Sequence, residues 1–225
     1  MTRLDETFLQ IGIEAPLQRQ DVIQVAAFQE RSTVVGPGQR CVIWVAGCLR
    51  RCPGCIKPDH LSFEAGETVS VADLQERVVQ IRDIEGITFS GGEPFEQAAA
   101  LGELGRRLKT KGLSVVAYSG YRFEALKAEP LRFGPLLEVV DLLVDGEYHR
   151  EMPGPYRWRG SANQRFHVLS QRGELPVDPA EAVQEVQCAV GDEGMRLIGF
   201  PDREMERRLQ DELAARGILF KRVNE

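Results

Sequence analysis

Apolar runs alternate with amphipathic stretches from about residue 20 to residue 170. "DVIQVAAFQE" (21–30) and "RCVIWVAG" (40–47) read as strands. The second is almost continuously apolar, as a strand buried on both faces must be. "SVADLQERVVQI" (70–81) sets Val71, Leu74, Val78 and Ile81 on one helical face, with Ser70 in position to cap the helix. "GITFS" (86–90) predicts a strand, and "FEQAAALGELGRRLK" (95–109) a helix with Leu101, Leu104 and Leu108 aligned. "LSVVAYS" (113–119) is a further strand, followed by a short helix near 121–128 and by strands at "VVDLLVD" (139–145) and "RFHVLS" (165–170).

This alternation predicts right-handed βαβ units and a mostly parallel sheet, an α/β fold. In such sheets ligands collect beyond the carboxyl ends of the strands. Four chemically loaded stretches follow strands: the cysteines after 40–47, "SGGEP" after 86–89, "SGY" after 113–118, and "DGEYHREMPGPYRWRGSANQR" after 139–144. All four should therefore share one rim.

Beyond residue 170 the pattern changes. The stretch 171–190, with "GELPVDP", reads as a linker. "MRLIGFP" (195–201), "REMERRLQDELAARG" (203–217) and "ILFKR" (218–222) then predict strand, helix, strand, with Met205, Leu209 and Leu213 on one face and Gly217 as the helix stop. The expected organisation is a core at 20–170, a linker at 171–190 and a small α/β appendage at 191–225.

Composition narrows the class. Of the 225 residues, 43% are hydrophobic and 28% charged, an ordinary globular balance. No apolar run reaches the roughly 18–20 residues that span a bilayer. "MTRLDETFLQIGIEAP" lacks the basic start and apolar stretch of a signal peptide, so the expectation is a cytoplasmic protein without membrane contact. A net charge of -6 argues against nucleic acid as a partner. The most basic run, "RRLKTK" (106–111), ends an amphipathic helix and reads as a solvated terminus.

Of five cysteines, Cys41, Cys48, Cys52 and Cys55 fall close together, which is not the spread of a disulfide framework. Within "GCLRRCPGC" (47–55), Cys48, Cys52 and Cys55 could serve a zinc site completed by Cys41 or His60. "CPGC" alone could be a redox dithiol. Three thiolates could also hold a [4Fe–4S] cluster with one iron open to a ligand. Spacing favours the cluster and leaves the other two standing. Cys188 is isolated and reads as incidental, while His149 and His167 read as structural. In "TFSGGEPFEQ" (88–97), Gly91 and Gly92 permit close backbone approach, Pro94 favours a helix start, and Glu93 adds a carboxylate.

C-x3-C-x2-C after one strand and G-G-E-P after the next resemble the radical S-adenosylmethionine (SAM) superfamily. More narrowly, "GPGQRCVIWVAGCLRRCPGC" (36–55), "ITFSGGEPFEQ" (87–97), "YSGY" (118–121) and "DLLVDGEY…WRGSANQR" (141–165) resemble the activating enzymes of glycyl radical enzymes, above all the anaerobic ribonucleotide reductase activating proteins. The resemblance implies a partial (β/α)6-type barrel. It implies a [4Fe–4S] cluster on Cys48, Cys52 and Cys55, with SAM on the open iron, cleaved reductively to a 5′-deoxyadenosyl radical. It assigns Ser90, Gly91, Gly92 and Glu93 to the methionyl amino group, and offers Ser119 and Asp145 for ribose or carboxylate contacts. Arg40, Arg159, Asn163 and Arg165 become further site candidates, Arg159 and Arg165 to pair with the SAM carboxylate or with a substrate backbone. Tyr156 and Trp158 are candidates for packing the barrel mouth or meeting a partner.

The implied partners are a glycyl radical enzyme and an external one-electron donor, flavodoxin or ferredoxin. The chain departs from that family's pattern at Ile56, where an aromatic usually follows the last cluster cysteine. It also departs in the 55 or so residues that continue past "RGSANQR", and it has no second cysteine set. Two other functions remain open on this reading: a radical SAM enzyme acting on a small molecule or peptide, and a non-enzymatic iron–sulfur or zinc protein.

Overall fold

A computed structural model describes residues 20–173, 185–191, 194–201 and 203–218. Within them, β1 (Val22–Ser32), β2 (Arg40–Val45), β3 (Glu67–Ser70), β4 (Gly86–Gly91), β5 (Ser114–Ser119), β6 (Leu142–Asp145) and β7 (Arg165–Val168) form one sheet. Its order is β3-β1-β2-β4-β5-β6-β7. β2, β4, β5 and β6 run parallel, whereas β1, β3 and β7 are antiparallel to their neighbours. The sheet is therefore mixed α/β, with a parallel centre and antiparallel edges. Loop length explains the first reversal. Only residues 33–39 join β1 to β2, too few for the crossover that parallel strands need.

Three helices cross between the parallel strands and cover one face: α1 (Val71–Val79), α2 (Ala98–Lys109) and, after the short α3 (Phe123–Ala128), α4 (Pro130–Leu137). Ser70 caps α1 as expected, its Oγ accepting from the Asp73 N–H at 3.0 Å. The expected helix at 95–109 resolves into a 3-10 turn over Pro94–Gln97 followed by α2. α4 was not legible in the sequence, because Pro130, Gly134 and Pro135 interrupt any helical pattern there. Pro130 instead opens the helix. A Cβ on Gly102 of α2 would lie 2.2 Å from the Pro135 carbonyl oxygen, so the two helices meet backbone to backbone.

Strand residues alternate between the two faces, as the period of two demands. Cys41, Ile43, Val45, Ile87, Phe89, Val115, Ala117 and Leu143 point under the helices and join Leu74, Leu101, Leu104 and Phe133 in the main core. Val42, Trp44, Val116, Tyr118, Leu142 and Val144 face the other way. That second face is covered by Val34 and Val35 and by a C-terminal hairpin, β8 (Val186–Gly191) with β9 (Gly194–Gly199), whose Ile198 is 1% exposed.

β9 and the following α5 (Arg203–Ala215) match the expected strand and helix, but β8 forms inside the stretch read as linker. Beyond Ile218, the expected strand at 218–222 lies outside the described residues. Among the described residues no helix is long and apolar enough to cross a membrane.

The end of the sheet where β2, β4 and β5 begin is closed by Arg40, 1% exposed. Its guanidinium donates to Thr88 Oγ1, Ser114 Oγ and the carbonyls of Pro37, Ile87 and Ser114 at 2.8–3.0 Å. Desolvation lowers its pKa to about 10. Arg40 thus stitches three strands together at the end remote from the cysteines.

Candidate metal and cofactor site

The loops leaving β2, β4, β5 and β6 converge on one cavity, of about 130 Å³. Its wall carries Cys48, Cys52 and Cys55, the turn Ser90–Glu93, Ser119–Gly120, and Gly146 with Tyr148. The shared rim expected from the alternation is present.

Why the cysteines reach this rim follows from the backbone. β2 ends at Val45, and the loop beyond it is pinned by Gly47 N–H to the His60 carbonyl at 2.9 Å and Cys48 N–H to the Leu61 carbonyl at 3.1 Å. Inside the loop, Arg51 and Gly54 take positive φ values of 47° and 71°. All three thiols are free, Cys48 buried and the other two half-buried. Each sulfur faces a backbone N–H: Arg50 and Arg51 toward Cys48, Tyr148 toward Cys52, and Lys57 toward Cys55. Such N–H groups stabilise charge on cluster-bound sulfur. Burial raises all three thiols, Cys52 to about 11, and a bound cation would favour their thiolate forms.

No three His, Cys, Asp or Glu side chains among the described residues converge tightly on a single ion. Three free thiols on one loop, each facing a backbone N–H, have the donor chemistry that an iron–sulfur cluster needs.

The Gly-Gly-Glu turn is built by close approach. Gly92 N–H donates to the Val45 carbonyl at 2.7 Å, and Glu93 N–H to the Gly47 carbonyl at 2.8 Å. A Cβ on Gly92 would sit 2.4 Å from the Gly47 oxygen, and Gly91 has φ of 106°. Only glycine fits either place.

Glu93, 1% exposed, accepts from Phe95 N–H at 3.0 Å, Ser119 Oγ–H at 3.0 Å and Gly120 N–H at 2.8 Å. Burial pushes its pKa up to about 7 against these three donors. The side chain is first a clasp between the β4 and β5 turns. A carboxylate has about four acceptor positions, so roughly one remains for a bound group.

The other expected site residues divide. Ser119 lines the cavity, and its Oγ–H donates a hydrogen bond to Glu93 at 3.0 Å. Asp145, Arg159 and Asn163 do not reach the cavity wall. Asp145 is buried behind the rim, accepting from Phe123 N–H at 2.6 Å and from Arg165 at 2.5 and 3.0 Å. Arg165 is shared between Asp145 and Glu124. Arg159 donates to the Gln164 carbonyl at 2.8 Å and stacks 4.2 Å from the Tyr156 ring centroid. Asn163 Nδ2 donates to the Glu147 carbonyl at 2.8 Å. These side chains shape the 145–165 loop. Trp158 is buried, and its carbonyl accepts from Tyr118 Oη–H at 2.8 Å.

Several cavity residues escaped the sequence reading. Gln164, inside "RGSANQR", lines the wall and holds the loop through the Gly146 carbonyl at 3.0 Å and the Gly160 N–H at 2.8 Å. Arg50 pairs with Glu147 at 3.0 Å and lies over the Tyr121 ring, latching the cysteine loop to the β6 exit. Leu197, Ile198, Gly199 and Phe200 enter the wall from the C-terminal hairpin. Gln164 had a signal in its motif; the hairpin residues had none.

A three-cysteine loop on the strand-end rim of an α/β sheet is what an iron–sulfur domain requires, and the family match names that class. The 4Fe-4S single cluster domain family matches residues 34–167. Among curated relatives, the anaerobic ribonucleoside-triphosphate reductase-activating protein of Vibrio cholerae is 34% identical over 146 residues, covering 60% of this chain and 90% of its own. The proteins of the same name from Escherichia coli K12 (29% over 145 residues; 60% and 92%) and phage T4 (30% over 139 residues; 59% and 86%) are similar. The chain belongs to this family of activating enzymes, the radical SAM branch that the sequence motifs resemble. The described C-terminal hairpin and α5 lie beyond the residues that the family matches.

Proposed function

We propose that this chain is a radical SAM activating enzyme whose target is a glycyl radical enzyme of the anaerobic ribonucleotide reductase type. The observation that carries the reading is the convergence of Cys48, Cys52 and Cys55 with the Ser90–Glu93 turn on one cavity. When bound, the cluster and SAM would supply an electron and, by cleavage of the sulfonium, a 5′-deoxyadenosyl radical able to take a hydrogen atom from glycine.

The chain's part is positional. Cys48, Cys52 and Cys55 would hold the cluster, three thiolates for four irons, so that one iron would be available to SAM. The Ser90–Glu93 turn presents backbone and the spare Glu93 acceptor to the methionyl amino group. The Arg50–Glu147 pair keeps the cysteine loop and the β6 exit at fixed separation, and Ser119 keeps Glu93 oriented. The apolar wall excludes water from the reacting groups. Asp145, Arg159 and Asn163 serve as supports of the 145–165 loop on this reading. The mixed sheet is taken as the family's partial (β/α)6-type barrel, residues 20–170 as its core unit with the β8–β9 hairpin and α5 as the appendage, and a cytoplasmic flavodoxin or ferredoxin as the electron source.

Anaerobic reconstitution with SAM, reductant and the candidate reductase should yield a protein-based glycyl radical in its EPR spectrum. SAM cleavage without that signal would remove the target while leaving the chemistry. The hairpin at the cavity favours one second reading, a radical SAM enzyme acting on a small molecule or peptide. Turnover of such a substrate without a protein partner would establish it.

A further inference from the structure

Ile56 directly follows the last of the three clustered cysteines, and the structure shows what surrounds it. At one corner of the cavity, Ile56, Tyr148 and Phe200 meet over Gly160. A Cβ placed there would lie 3.2 Å from Ile56 Cδ1, 3.1 Å from Tyr148 Cδ2 and 3.0 Å from Phe200 Cδ1. All three side chains line the cavity wall. The Phe200 ring also packs against Tyr118, with centroids 5.6 Å apart and planes tilted by 48°.

Phe200 is fixed there by the hairpin. Ile198 is buried among the second-face residues. Arg196 donates to the Phe28 carbonyl at 3.2 Å, Gln187 to the Arg31 carbonyl at 3.1 Å, and Arg157 pairs with Glu185 at 3.1 Å. These contacts tie the hairpin to β1 on one side and to the 145–165 loop on the other. Gly199 then turns the chain toward the cavity with φ of 105°, where a Cβ would lie 2.8 Å from the Glu185 carbonyl. A nucleobase needs a flat apolar or aromatic surface beside it. The cysteine loop offers only an aliphatic side chain next to Cys55, and the aromatic surface that meets Ile56 comes from Tyr148 and from Phe200, which lies outside the family's matched residues and is backed by Tyr118.

We propose that Phe200, with Tyr148 and Ile56, forms the wall against which the adenine of SAM lies, so that the C-terminal hairpin completes the cofactor pocket. This rests on the radical SAM reading above. Phe200 is then a cofactor-positioning residue, and the extension is part of the site.

The test is equilibrium dialysis of SAM against the anaerobically reconstituted full chain, with iron content measured on the same samples. Phe200→Ala should weaken SAM binding about tenfold at unchanged iron content, the scale of one lost base–aromatic contact. Phe200→Leu, which keeps apolar volume, should weaken it several-fold, and Phe200→Tyr should stay within about twofold of wild type. SAM affinity within about twofold of wild type in both the Ala and Leu variants would overturn the proposal. So would loss of iron from both, because Phe200 would then be a prop for the cysteine loop. If the Ala variant does not fold, the Leu and Tyr variants decide. Failure of the iron-loaded wild type to bind SAM at all would instead reject the radical SAM reading, and this inference with it.

Discussion

The face of the sheet under α1, α2 and α4 differs from the face under the β8–β9 hairpin. The helix face is a continuous apolar core closed by segments that lie between the strands in sequence. The hairpin face is smaller, and its cover comes partly from far along the chain. It also opens at one end into the cavity, where Tyr118, Trp44 and Ile198 are shared between packing and site. One face holds the fold together. The other holds the site together, and this difference can be tested.

The largest stability effect should fall on the helix face. Leu104→Ala removes a fully buried side chain from the main core and should cost about 2–5 kcal/mol, read as a lower denaturant midpoint. Ile198→Ala removes a side chain just as buried, yet hydrogen exchange should show opening confined to the hairpin and the loops it touches. Equal global losses would merge the two faces into one cooperative unit. Next, Gly92→Ala forces a methyl group against the Gly47 carbonyl and should cost about 1–3 kcal/mol, while lowering iron retention by the cysteine loop.

Glu93 gives a pH signature. Its folded pKa is raised from 4.5 to about 7, so between those values the folded state keeps a proton that the unfolded chain has released. Its contribution is complete below the unfolded value and is lost as the pH rises through about 7. The stability of the chain without SAM should therefore fall more steeply across that window than that of Glu93→Gln. Parallel slopes would mean that Glu93 is ionised throughout. The smallest effect belongs to Ser70→Ala, about 1 kcal/mol, from loss of the α1 cap on the helix face.

Much of this was legible in the sequence, and unevenly. The helices α1 and α2 follow from apolar periodicity, because each buries one regular face, and the strands β2, β4, β5 and β6 from short, nearly continuous apolar runs, because they are buried on both faces. The rim followed from the strand–loop order, and its cysteine and glycine turns from residue types with narrow geometric uses. α4 was hidden by its prolines, and the antiparallel edges by loop lengths that periodicity does not encode. Asp145 and Arg165 carried site-like chemistry in the sequence but spend it on each other. Phe200 was invisible for the opposite reason. A lone aromatic in a short strand pattern gives no sign of which distant wall it joins.

The central claim is that three cysteines hold an iron–sulfur cluster with one iron left open to SAM. The most direct measurement is the EPR spectrum of the reduced, reconstituted chain before and after SAM is added, with iron counted alongside. The account predicts about four irons per chain, a cluster signal that changes on SAM addition, and loss of iron and signal in Cys52→Ser. Zinc at about one per chain, or a cluster signal indifferent to SAM, would contradict it.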